Sequence, residues 1–227
     1  MRGLPQIFRN NETLTSFALL VLITGVGLVF SMPSATFVYE ILQSPLSRGT
    51  PAAFLVVYVL SFVFFGVNRG AAGIPLEHWS PRSLARALVN LLVGLLLTAP
   101  YLVYIRIILL PLDRIVILWI GAYSLLVATS FALLAQWLEV RGTRLGRDTA
   151  VLRYAIAAGF VAVPMAFHFA PQGVRLLSLL SPLSGVIRLY AGAASTEMAV
   201  LFAAPVAGCL VLLWLIRRET RWSSVRV

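Results

Sequence analysis

The sequence predicts an all-α polytopic membrane protein with six transmembrane helices in a single domain, and three observations predict it. Of 227 residues, 60% are hydrophobic and only 11% are charged, which leaves too little polar surface for a water-soluble globule. The apolar residues gather in successive runs, each approaching the roughly 20 residues that cross about 30 Å of hydrocarbon at a rise of about 1.5 Å. Within each run they are continuous rather than alternating. Barrel strands are thereby excluded, and helices satisfy their own backbone hydrogen bonds in lipid.

The first span, 14–32, follows a polar start containing Arg2, Arg9, Asn10, Asn11 and Glu12. A cleaved signal peptide competes for this segment, since Pro33-Ser34-Ala35-Thr36 has a composition that cleavage would accept. The length of the apolar run favours an uncleaved span. Ahead of it, Ile7 and Phe8 among polar neighbours suit a short interfacial helix. The remaining spans are 52–67, 84–105, 115–138, 150–170 and 198–216. Pro100 and Pro164 fall inside the third and fifth, where each removes a backbone donor and kinks its helix. There is no internal repeat, and the connections are too short for a soluble domain, so 1–227 forms one membrane domain.

Charge sets the orientation. All 18 basic residues are arginine, against eight acids, for a formal charge of +10. They are scattered between spans instead of lining one face, which points to topology signals and lipid headgroup contacts and away from nucleic acid. Arg2, Arg9, Arg69, Arg82, Arg86, Arg141, Arg144, Arg147, Arg153, Arg217, Arg218, Arg221 and Arg226 fall on one side, thirteen in all. Arg48, Arg106, Arg114, Arg175 and Arg188 fall on the other. Both termini are therefore expected in the cytoplasm, with the protein multi-pass in the inner (plasma) membrane.

Several chemistries lack their residues. No Walker-type glycine loop occurs, so ATP hydrolysis by that route belongs elsewhere. The only cysteine, Cys209, lies in the last run, and His78 and His168 are far apart, so neither a disulfide nor a metal centre is expected. Gly-x-Ser-x-Gly is missing, and no catalytic set can be assembled. The densest charged stretch, Glu139 with Arg141, Arg144, Arg147 and Asp148, reads as a solvated cytoplasmic loop. Arg188 and Glu197 are placed to form a structural ion pair near the outer surface.

Two connections say more than the spans. In 69–84, Ser80 followed by Pro81 reads as an N-cap and first helical residue leading into the third span. Ile74, Leu76, Glu77, His78 and Trp79 just before them make an apolar, aromatic cytoplasmic segment flanked by arginines, suited to docking a partner protein. The second connection, 171–194, is strongly apolar but broken by Pro182 and loosened by Gly185. Two short helical pieces that dip into the outer leaflet and return are its natural form.

This layout resembles the membrane subunits of type-2 ABC exporters, the ABC-2 permeases. The loop containing Glu77 matches their coupling region, and Leu180-Ser181-Pro182-Leu183-Ser184 is similar to the "asparagine or serine, proline, leucine" run before their last span. Arg69-Gly70 is followed here by Ala71-Ala72, where the family carries a clearer arginine-glycine-threonine run. The resemblance implies a coupling helix at 74–79 and a re-entrant segment carrying Ser181, Pro182, Leu183 and Arg188. It also implies a second permease, of the same or a different chain, and two ATPase subunits that hold ATP and Mg. No cofactor is expected on this chain. Export by ATP-driven alternating access follows from the same resemblance, and the alternative is a membrane scaffold or assembly component of a non-ABC complex.

Overall fold

The computed structural model of the chain describes residues 11–31, 49–71, 81–106, 113–144, 149–167 and 176–223. Every regular element among them is helical. They form seven α-helices: α1 (Asn11–Ser31), α2 (Gly49–Ala71), α3 (Pro81–Tyr104), α4 (Arg114–Arg144), α5 (Ala150–Ala166), α6 (Pro182–Ala191) and α7 (Ser195–Ser223). A short 3-10 stretch, Leu176–Leu180, leads into α6.

The six apolar runs map in order onto α1 to α5 and α7. Helix α3 is described from Pro81 onward, and Ser80, its expected N-cap, lies outside the described residues. Helices α2, α4 and α7 are longer than their apolar runs, because helical hydrogen bonding continues through the arginines and small residues at their ends. Four helices are long and apolar enough to cross a membrane, through Ala53–Gly70, Leu84–Tyr104, Arg114–Gly142 and Ser195–Glu219. The apolar parts of α1 and α5, Thr13–Val29 and Ala150–Pro164, are shorter. Six predicted spans thus correspond to four helices of sufficient length and two shorter ones.

Helix α2 is the centre of the bundle and packs on α1, α3, α4, α5 and α6. Phe54, Tyr58 and Phe62 recur every fourth residue, so they stack along one face with ring centroids 5.9 and 5.0 Å apart, and all three are fully buried. Another face carries Gly66 and Gly70, four residues apart. Their Cα atoms lie so close to the backbone carbonyls of Ala128 and Ala132 on α4 that a Cβ at either glycine would collide with main chain. This is small-residue packing of the kind membrane helices use, because lipid supplies no hydrophobic drive to bring two helices together.

Hydroxyls tie the first three helices to one another. Thr24 of α1 and Ser61 of α2 lie 3.2 Å apart, and each is also within reach of a carbonyl of its own helix. Tyr58 of α2 and Thr98 of α3 make a second pair at 3.2 Å. The Arg69 guanidinium donates to Thr13 Oγ1 and to Ser16 Oγ, both at 2.8 Å. Arg69 is 6% exposed, so it is not the loop charge that its place after the second apolar run predicts. Its burial is offset because two hydroxyls in the first turns of α1 accept hydrogen bonds from it.

The outside of the bundle is apolar. Leu96 is 72% exposed and Leu118 71%, and large apolar side chains are exposed on all six long helices. Apolar exposure on this scale is compatible with a protein embedded in a bilayer.

Candidate functional site

The most unusual element is the segment 176–191, which folds into the bundle instead of over it. The 3-10 stretch and α6 form a hairpin with Ser181 at the bend, where Ser181 N–H donates to Ser178 O and Gly185 N–H donates to Ser181 O, each at 3.0 Å. Pro182 occupies the first helical position, where a missing N–H costs nothing. Ser181 does not cap the helix with its side chain. Its hydroxyl donates instead to Val161 O of α5 at 2.7 Å, and the residue is wholly buried.

One face of α6 is buried through Pro182, Ser184, Gly185, Val186 and Leu189. Gly185 meets the phenol of Tyr123 on α4 so closely that no Cβ fits. Tyr123 lies nine residues from the start of α4, about 13 Å along it at helical rise. The strand of chain then returns, and α6 ends at Gly192, whose φ of 85° is a left-handed C-cap that a side chain would strain.

The return leads straight into α7. Glu197 Oε2 accepts from Ala194 N–H at 3.3 Å, a carboxylate on the exposed donors of a helix start. The other oxygen faces Arg188 of α6 at 3.8 Å, so the ion pair expected from the sequence is present and joins the hairpin to the last helix.

Of the residues singled out in the sequence, the structure brings together Ser181 and Pro182 at the bend, half-buried Leu183 packed against the core, and Arg188 at the ion pair. Ile74, Leu76, Glu77, His78 and Trp79 lie outside the described residues, as does His168. Glu139 is not in a solvated loop. It lies within α4, where its Oε2 accepts from Thr149 at 2.7 Å and from Arg153 at 3.2 Å, fastening the end of α4 to the start of α5.

Beside the hairpin lies an apolar groove of about 600 Å³ between α4, α5 and α7. Tyr123 and Pro182 line one end, and Trp137 of α4, Ile156 of α5 and Leu215 of α7 line the other. Its main polar feature is Ser130, whose hydroxyl lies 3.1 Å from Pro205 O and 3.2 Å from Cys209 Sγ, a polar tie between α4 and α7. The sequence reading passed over this groove. Its signals were a serine in the middle of an apolar run and a third intrahelical proline, Pro205. Among the described residues no group of three or more His, Cys, Asp or Glu gathers that would hold a metal.

Against protein-family models, curated proteins and solved structures, the chain finds no match.

Proposed function

We propose that this chain is the membrane-spanning permease subunit of an ATP-binding cassette transporter of the ABC-2 export type. It pairs with a second permease and with two ATPase subunits that bind ATP and Mg, and it carries no nucleotide site of its own. The observation that carries this reading is the hairpin: an apolar, proline-bent pair of short helices, between the fifth and last long helices in sequence, that packs mainly on α2, α4 and α5. On this reading the bend reaches near the middle of a hydrocarbon core of about 30 Å and the segment is re-entrant.

The order of elements supports it further. On this reading the chain has six spans with both termini in the cytoplasm, which would put 74–79 on the ATPase side and the hairpin on the far side. ATP binding draws the two ATPases together and pushes the coupling segments. The packed helices then shift between an inward-open and an outward-open arrangement, and substrate leaves between the two permeases. The close α2–α4 contact at Gly66 and Gly70 suits α2 to carry such a push from its Arg69 end into α4.

The test is affinity purification of the tagged chain from its native membrane in mild detergent, followed by mass spectrometry. A co-purifying subunit with Walker motifs, at one copy per permease, is the expected result. Stable complexes that lack any nucleotide-binding protein would replace the permease with the scaffold reading.

A further inference from the structure

We infer that the groove between α4, α5 and α7 is a binding site for one anionic phospholipid, with an acyl tail in the groove and the phosphate held by Arg141 and Arg218. This rests on the protein lying in a bilayer and not on its having an ATPase partner.

The groove has the dimensions and chemistry of a lipid tail. It is lined almost wholly by carbon, and along α4 it runs from Tyr123 to Trp137, about 21 Å at helical rise. One leaflet of hydrocarbon is about 15 Å deep, so a tail fits lengthwise. Leu179 and Pro182 of the hairpin line its far end.

The open end is cationic. Arg141 stands four residues beyond Trp137, and Arg218 three beyond Leu215, so each arginine is one turn further along the same face as a lining residue. Each lies over an indole, Arg141 over Trp137 at 5.4 Å and Arg218 over Trp214 at 5.5 Å. Stacking on a ring face holds a guanidinium while leaving its in-plane N–H donors for a phosphate. Tryptophan and arginine together at one level also mark a membrane–water boundary, the depth at which a phosphate lies.

Among the described residues, the acids nearest the two arginines in sequence are already engaged. Glu139, the acid nearest Arg141 in sequence, is bound to Thr149 and Arg153, and Glu219 on α7 likewise has a partner. Both arginines are exposed. Basic clusters at the mouth of an interhelical groove are the known physical recipe for anionic headgroups. With the arginine-rich side cytoplasmic, the lipid comes from the cytoplasmic leaflet.

Native mass spectrometry of the full-length chain, in whatever complex it purifies, tests the site. Phosphatidylglycerol and phosphatidylcholine of matched tails are added in competition. Two arginines predict about a 25-fold preference for phosphatidylglycerol. The Arg141→Gln/Arg218→Gln variant should bind both lipids alike, while Arg86→Gln, which removes an exposed arginine of α3, should keep the preference. Gly208 lines the groove and has open space around its Cβ position, so Gly208→Leu is expected to fold and to fill part of the tail site. It should lower retention of both lipids at least fivefold. Equal binding of the two lipids by the unaltered chain, a preference that survives the double arginine change, or full retention in Gly208→Leu would each overturn the site. Displacement of phosphatidylglycerol by millimolar inorganic phosphate would also overturn it, by showing that the groove adds nothing to the charge.

Discussion

Helices α2 and α7 are both long apolar helices of similar appearance in the sequence, yet 67% of the apolar stretch of α2 is buried within the chain and only 17% of that of α7. What separates them is the spacing of small and polar residues. Gly66 and Gly70 place two small residues four apart on the face that meets Ala128 and Ala132, and Tyr58, Ser61 and Arg69 find partners across that helix's other contacts. In α7, a side chain added at Gly208 would meet open space, while Val206, Leu210, Val211 and Trp214 are exposed. Apolarity selects the bilayer, and small-residue spacing selects the centre of the bundle.

The contrast breaks most sharply at the glycines. Gly66→Leu forces a side chain into the backbone of α4 and should destabilise by about 3 kcal/mol or more, seen as loss of a monodisperse species and a large drop in Tm in detergent. The matched change on α7, Gly208→Leu, should leave Tm nearly unchanged. Comparable losses at both positions would remove the distinction between the two helices.

Next in size is Arg69→Leu, which strips two buried hydroxyls of their donor. We expect a loss of about 2 kcal/mol in thermal unfolding, against less than about 0.5 kcal/mol for Arg218→Gln on the exposed helix. Ser181→Ala should cost about 1 kcal/mol and loosen the hairpin first, read as faster hydrogen exchange across 181–191 with α2 unaffected. The smallest effect belongs to Arg188→Gln, whose partner Glu197 sits 3.8 Å away at the protein surface. Less than about 0.5 kcal/mol is expected, and the charge-swapped Arg188→Glu/Glu197→Arg double variant should recover most of it if pairing is the cause.

How much of this was legible in the sequence depends on which residues carry it. The all-helical architecture of the described residues follows from the length and continuity of the apolar runs. The hairpin was legible because Pro182 breaks a run too apolar for a surface loop, and the Arg188–Glu197 pair because helix starts attract acids. Arg69 was misplaced because an arginine after an apolar run reads as a loop charge unless its partners, fifty-six and fifty-three residues away, are known. Glu139 was misplaced for the same reason, since Thr149 and Arg153 reach it only once α4 and α5 pack. The groove was illegible: a void belongs to the arrangement of three helices and to no segment of chain.

The most direct test of the functional account is site-specific photo-crosslinking in native membranes, with the reactive residue placed at Trp79 and, as control, at Asp113 before α4. Covalent capture of a Walker-motif ATPase from position 79 and not from 113 is the result the account predicts. Crosslinks from 79 to lipid or to other membrane subunits alone, with no nucleotide-binding protein captured, would contradict it.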